Sequence, residues 1–199
     1  MTSKLSQILA ALLLTASSAV ADVPVLTVYT YDSFVSEWGP GPSIKAAFEE
    51  TCDCSLEFVG VGDGAALLAR LQLEGARSDA DVVLGLDTNL TARAKATGLF
   101  APHNVKLFND HGVRNPIFTL PVTWEDPTFL PFDWGYFSFV YDNTKLSDVP
   151  TSFADLADRD DLKIVIQDPR SSTPGLGLLM WIKAAYGDDA GSVWEGLSP

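Results

Sequence analysis

Alternating strand and helix patterns in the first half of the chain constrain its fold most strongly. Residues 25–31, 55–61 and 81–86 are rich in β-branched, aromatic and apolar side chains, and the last of these runs is apolar almost throughout. Amphipathic helical patterns at residues 65–73 and 89–97 follow the second and third runs. Strands that alternate with helices pair in parallel, and a buried parallel strand is apolar on both faces. We therefore predict an α/β fold built on a parallel sheet.

A second α/β unit is predicted after residue 130. Residues 132–141 and 162–167 have the composition of strands, and residues 176–186 have that of a helix. Residues 101–130 carry four prolines and show no clear periodicity. We expect a long irregular connection there, between the two units.

The first 21 residues have the pattern of a secretory signal peptide. Lys4 precedes an apolar run at residues 8–16, and residues 19–21 (AVA) supply the small side chains of a cleavage site before Asp22. The apolar run is shorter than the roughly 20 residues that span a bilayer. We expect a mature chain that begins at Asp22, is exported and does not insert into the membrane.

The charge of the chain argues against two classes of partner. Asp and Glu number 26 and Lys and Arg number 13, which gives a formal net charge of −13. Nucleic acids and anionic lipid surfaces are bound through basic faces, so we expect neither as a partner. An acidic protein is compatible with a cationic ligand.

The most distinctive local motif is the loop at residues 168–175 (DPRSSTPG), between a predicted strand and a predicted helix. Unpaired N–H groups at the start of a helix favour an anion, and Ser172 and Thr173 add hydroxyl donors. Alternatively, one hydroxyl caps the helix, with Pro174 near its first position. The residues alone leave both interpretations open.

Two further groups follow predicted strands. Asp63-Gly64 comes after the second strand, at the edge where ligands of open α/β sheets bind. There Asp63 either holds an amino group or cation, or simply caps the next helix. Tyr31 and Trp38, near the end of the first strand, offer aromatic faces to a cation or a flat ring. Tyr29 and Tyr31 share one strand face, however, which is also compatible with the core.

Cys52 and Cys54 are the only cysteines. In an exported protein we expect them to form a disulfide, although a Cys-x-Cys pair needs a turn to bring the sulfurs together. His103 and His111 lie far along the chain, so we expect no metal site. The sequence lacks the motifs of serine hydrolases, zinc proteases and dinucleotide-binding enzymes, and we assign no catalytic residue.

Four stretches together resemble one protein family, the periplasmic thiamine-binding proteins of bacterial ABC importers, which are type II solute-binding proteins. The YTYDSF, WGPGP and STPGLG segments are its most specific motifs. The resemblance covers essentially all of residues 22–199. The stretches are VLTVYTYDSFVSEWGPGPSIKAAFE (25–49), ADVVLGLDTNL (80–90), LPFDWGYFSFVYDNTKL (130–146) and VIQDPRSSTPGLGLLMW (165–181).

The resemblance implies a two-lobed periplasmic binding protein without a cofactor or catalytic activity. Residues 22–125 would form lobe one, and residues 126–199 the hinge crossover and the start of lobe two. Thiamine, thiamine monophosphate or thiamine diphosphate would bind between the lobes and pass to a membrane permease. Ser172 and Thr173 would contact the hydroxyethyl or phosphate end. The expected ligand-binding residues are Tyr31, Trp38, Asp63, Gly64, Ser172 and Thr173.

The chain departs from the family in length. Two complete lobes need more than the 199 residues present. We therefore expect lobe one to lack its C-terminal return and lobe two to be incomplete, as in a fragment of a longer reading frame.

Two alternatives remain open. One is a related ABC binding protein for ferric ion, another anion or a polyamine. The other is a thiamine-cleaving enzyme on the same fold, which needs a cysteine nucleophile. Cys52 and Cys54 precede the second strand, at the end opposite the expected ligand edge, which counts against the enzyme.

The signal peptide is tested by substitution at its cleavage site. N-terminal sequencing of the exported protein is expected to begin at Asp22, and Ala21→Leu should leave the precursor unprocessed because the last residue of the leader must be small. Val20→Ile is the control and should be processed normally. An exported wild-type chain that still carries Lys4 would contradict the prediction.

Overall fold

The computed structural model describes residues 23–103, 105, 122 and 124–198. The predicted signal peptide and much of the predicted connection at residues 101–130 lie outside the described residues. Single 3₁₀ turns at Gly75–Arg77 and Gly187–Asp189 follow two of the helices. The elements are β1 (Val25–Thr30), α1 (Asp32–Val35), α2 (Gly41–Glu49), β2 (Ser55–Gly60), α3 (Gly64–Glu74), β3 (Val82–Val83), α4 (Thr91–Ala96), α5 (Phe153–Ala157), α6 (Thr173–Tyr186) and α7 (Ala190–Leu197).

A three-stranded sheet forms the centre of the first half of the chain. Its strand order is β2-β1-β3, and both pairings are parallel. Val25 lies opposite Ser55 at the start of β1, and Val28 lies opposite Val82 near its end. The predicted α/β fold with a parallel sheet is confirmed.

The strands predicted at residues 132–141 and 162–167 are absent from the structure. Neither segment belongs to a sheet of the described residues, and Tyr136, Val140 and Val165 are 85%, 92% and 94% exposed. A segment forms a strand only where the backbone of a neighbouring segment pairs with it. β-branched and aromatic residues favour such pairing, but their presence does not show that a pairing partner exists. β3 is likewise two residues long, although the apolar run that predicted it has six.

Helix α3 covers one side of the sheet. Asp63 caps its first turn, which was one of the two roles expected for it, and Gly75 follows its last residue. Leu67 and Leu71 are buried against Tyr29 of β1, so Tyr29 is a core residue. The partly buried side chains around this cluster are Val59, Val61, Ala80, Val83, Leu86 and Phe100.

Phe34 anchors the chain where it leaves β1. It lies in α1, and its side chain is fully buried. Its ring meets those of Tyr31, Phe58 and Phe132 edge to face, with centroids 5.6, 5.4 and 5.7 Å apart. Aromatic pairs prefer this edge-to-face geometry. Through Phe132, the contact packs the start of the second half of the chain against the sheet.

The second half of the chain has its own small core between α6 and α7. Ile182, Ala190 and Val193 are buried there, and Phe153 of α5 packs against them. Helix α6 begins at Thr173, three residues earlier than the predicted start, because Ser172 caps it. In the part of the chain that the structure describes, no helix is both long and apolar enough to cross a membrane.

The core of α3 makes a direct stability prediction. Leu67→Ala removes a fully buried side chain and should lower the free energy of unfolding by about 2–5 kcal/mol, because the cavity cannot fully collapse. Leu73→Ala on the same helix is the control: that side chain is 82% exposed, and its loss should change stability by less than about 0.5 kcal/mol. Urea denaturation measures both, and equal losses would contradict this packing.

Candidate ligand-binding site

Parallel strands bring the expected ligand-binding residues to one edge of the sheet. Tyr31 directly follows β1, Asp63 lies between β2 and α3, and Asp87 lies in the segment after β3. The carboxyl ends of β1, β2 and β3 all point to this edge because the pairings are parallel. In open α/β sheets this edge is where ligands bind.

Asp63 uses its two carboxylate oxygens for two different contacts. Oδ1 accepts a hydrogen bond from the backbone N–H of Gly64 at 2.7 Å, which caps α3. Oδ2 accepts a hydrogen bond from the backbone N–H of Thr173 at 3.0 Å, at the start of α6. Asp63 is therefore a helix cap and also a bridge to the second half of the chain.

Thr173 is bound by a second carboxylate. Its hydroxyl donates a hydrogen bond to Asp87 Oδ2 at 2.6 Å. Asp87 is itself held by the backbone, since Oδ1 accepts a hydrogen bond from the N–H of Asn89 at 2.8 Å. Both donors of Thr173 thus point to carboxylates at the carboxyl edge of the sheet.

Two glycines allow these segments to approach closely. A Cβ atom on Gly64 would lie 3.0 Å from the carbonyl oxygen of Gly85 and 3.2 Å from Thr173 Oγ1. Gly85 has a φ of +106°, and a Cβ atom there would overlap the ring of Tyr31. The ring of Tyr31 therefore rests on a backbone that only glycine leaves open.

Tyr31 stays protonated at neutral pH. Burial raises the pKa of its phenol, and the negative charges of Asp133 and Asp63 raise it further. The neutral hydroxyl is a hydrogen-bond donor as well as an acceptor.

Ser172 caps α6. Its hydroxyl donates to the side-chain oxygen of Gln167 and accepts a hydrogen bond from the N–H of Gly175 at 3.3 Å. The capping alternative therefore describes Ser172. In the same loop, the guanidinium of Arg170 binds Asp168 and lowers the pKa of that carboxyl to about 2.

No hydrogen bond or ring contact joins Trp38 to these residues. It stands in the connection between α1 and α2, and its side chain is 80% exposed. The structure thus brings Tyr31, Asp63, Gly64 and Thr173 together with Ser172 beside them, and leaves the indole of Trp38 open to solvent.

Cys52 and Cys54 form the expected disulfide. It lies just before β2, at the end of the sheet opposite Asp63. A cysteine in a disulfide has no thiolate to act as a nucleophile. Among the residues that the structure describes, no group of three or more His, Cys, Asp or Glu is arranged to hold a metal ion.

The sequence analysis missed Asp87 and Gly85. Both follow β3 in the segment Leu84-Gly85-Leu86-Asp87, and the rule that singled out Asp63 after β2 applies equally after β3. The residues that the structure brings together combine two carboxylates with a neutral phenol. Such a set suits a cationic or amine-bearing aromatic ligand.

A family model described as bacterial extracellular solute-binding protein matches residues 78–195. A thiamine-binding periplasmic protein of Brucella abortus is 53% identical over 173 residues, which is 86% of this chain and 49% of that protein. The protein of the same name from Escherichia coli K12 is 50% identical over 188 residues, 94% of this chain and 55% of that protein.

A solved structure described as a periplasmic thiamin binding protein superimposes with a TM-score of 0.80 at 51% identity. The match covers 88% of this chain and 53% of that chain. This chain therefore spans about half the length of the relatives that it matches.

The contact between Gly85 and Tyr31 is tested by adding one methyl group. Gly85→Ala meets the Tyr31 ring and an unfavourable φ, so it should lower the free energy of unfolding by about 2–5 kcal/mol. Gly98→Ala is the control, because Gly98 also has a positive φ, +69°, but has nothing within 4 Å of a Cβ. Its cost should be only about 1–2 kcal/mol. Equal costs in denaturant titrations would rule out the close approach.

Proposed function

Because this chain belongs to the bacterial extracellular solute-binding proteins, we propose that it captures thiamine in the periplasm for an ABC importer. The observation that carries the proposal is the position of Asp63, whose carboxylate joins the first turns of α3 and α6 at the carboxyl edge of the sheet. The relatives named as thiamine-binding periplasmic proteins support this choice of ligand. The protein acts by binding and release, without catalysis.

The chemistry of thiamine fits the residues at this edge. Its thiazolium ring carries a positive charge, and its aminopyrimidine carries an amino group that donates hydrogen bonds. Asp63 supplies an acceptor for the amino group, and the exposed indole of Trp38 supplies an aromatic face for a cationic ring. Tyr31 adds a neutral phenol beside Asp63.

The hydroxyethyl end of thiamine is proposed to lie near Ser172 and Thr173. In thiamine monophosphate and diphosphate this end carries the phosphate, and the N–H groups at the start of a helix suit an anion. Thr173 donates both its N–H and its hydroxyl to carboxylates, so a phosphate there has to share or replace those contacts. Gly64, packed against Thr173, lets the two segments approach.

Delivery is proposed to follow the mechanism of two-lobed binding proteins. Residues 22–125 contribute to lobe one, and residues 126–199 form the crossover and the start of lobe two. Closure of the lobes around the ligand gives the form that a membrane permease recognises. In this division, the contacts of Thr173 with Asp63 and Asp87 cross from lobe one to the first helix turn of lobe two.

Titration with thiamine tests the proposed site. Asp63→Asn keeps an N-cap for α3 but removes the charge, and should weaken thiamine binding by about 10- to 100-fold. Trp38→Ala removes the exposed aromatic face and should weaken binding by about 10-fold. Native mass spectrometry of the protein purified from the periplasm measures both, since it reports intact bound thiamine directly.

Asp81→Asn is the matched control for the charge. Asp81 lies beside the opposite end of β3, where it accepts a hydrogen bond from Thr27, and its substitution should leave thiamine affinity unchanged. Unchanged affinity in both Asp63→Asn and Trp38→Ala would refute the site. A covalent pyrimidine adduct or consumption of thiamine would instead show that the protein is an enzyme. Binding of ferric ion, an anion or a polyamine but not of thiamine would show that the ligand is a different one.

A further inference from the structure

Thr173 is the point at which the two halves of the chain are hydrogen-bonded at the site. Between described residues 23–103 and described residues 150–198, the hydrogen bonds found are those that Thr173 donates to Asp63 and Asp87. They come from one residue but use different groups, the backbone N–H and the side-chain hydroxyl. The position and the orientation of the first turn of α6 therefore depend on two carboxylates.

Asp87 is well placed to orient the Thr173 hydroxyl. Its Oδ1 is held by the N–H of Asn89 at 2.8 Å, which leaves Oδ2 aimed at Thr173 Oγ1 at 2.6 Å. The carboxylate and the hydroxyl are both partly buried, so water competes for this bond less than at an exposed position. A hydrogen bond to a charged acceptor is stronger than a neutral one.

We infer that Asp87 is a positioning residue, which holds the start of α6 at the carboxyl edge of the sheet through the Thr173 hydroxyl. In this position Asp87 also determines how this end of the site discriminates between thiamine and thiamine monophosphate. The inference rests on the proposed function for its ligands. Its physical basis is charge. Asp87 places a negative charge in direct contact with Thr173, and a phosphate near the same donors is repelled by that charge, whereas the neutral hydroxyl of thiamine is not.

Three variants separate the effects of charge and of the hydrogen bond. Asp87→Asn removes the charge but keeps the size of the side chain. Thr173→Val removes the hydroxyl but keeps the β-branch and the backbone N–H. Thr173→Ser keeps the hydroxyl and should behave like the wild type. Asp81→Asn removes a carboxylate from the other end of β3, where it contacts Thr27, and is the control for net charge.

Amide hydrogen exchange at residues 172–176 measures the positioning of α6. Without added thiamine, Thr173→Val should increase exchange by about 3- to 10-fold, as expected for the loss of one hydrogen bond. Asp87→Asn should increase it by less, because the amide oxygen still accepts from the hydroxyl but without the help of a charge. The double variant should exchange no faster than Thr173→Val, because Thr173→Val already removes the contact that Asp87→Asn weakens. Equal exchange in Asp87→Asn and Asp81→Asn, or additive effects in the double variant, would overturn the inference.

The ratio of two affinities distinguishes a positioning role from a merely structural one. Asp87→Asn should favour thiamine monophosphate over thiamine by at least about fivefold relative to the wild type, because one negative charge near the phosphate is removed. A structural defect would weaken both compounds alike and leave the ratio unchanged, which would refute the positioning role. If the wild type binds neither compound while exchange still depends on Asp87, the proposed function fails but the contact that orders α6 stands.

Discussion

The parallel pairing of β1 with β2 and β3 is the constraint on which the rest of the site depends. Because all three strands run in one direction, the segments that follow them emerge at one edge of the sheet. Tyr31, Asp63 and Asp87 span 56 residues of the sequence, yet each directly follows or closely trails a strand that ends there. Reversing any one strand would move its residue to the opposite edge, where the disulfide of Cys52 and Cys54 lies.

Close backbone approach is the second requirement of the site. Gly64 lies against the carbonyl of Gly85 and the hydroxyl of Thr173, and Gly85 accommodates the ring of Tyr31. These glycines allow two loops and a helix start to pack without intervening side chains. Carboxylates can then reach donors on α6 directly, at 3.0 Å for Asp63 and 2.6 Å for Asp87. Because these segments lie so close together, Asp63, which caps α3, also contacts the start of α6.

Apolar side chains are distributed unevenly between the two halves. The sheet and α3 bury Tyr29, Leu67 and Leu71 in a continuous core. The second half buries Ile182, Ala190 and Val193 between α6 and α7, while Tyr136, Val140 and Val165 are largely exposed. Composition typical of strands is therefore present at residues 132–141 and 162–167 without the pairing that makes a strand. Pairing is a property of two segments, so the pattern of one segment cannot establish it.

The choice of Asp63, Gly64 and Thr173 as ligand-binding residues came from the family resemblance and stays a prediction. Local patterns by themselves predicted the α/β class, the order of β1, α3 and β3, and a helix cap as one of two roles for Asp63. These features follow from hydrophobic periodicity and turn chemistry, which act over a few residues. Only the tertiary structure decided that Tyr29 is core whereas Tyr31 lies at the site, that Ser172 is a cap, and that Asp87 binds Thr173 86 residues away. Contacts over such separations depend on how the strands are ordered in the sheet, and periodicity within one segment carries no information about that order.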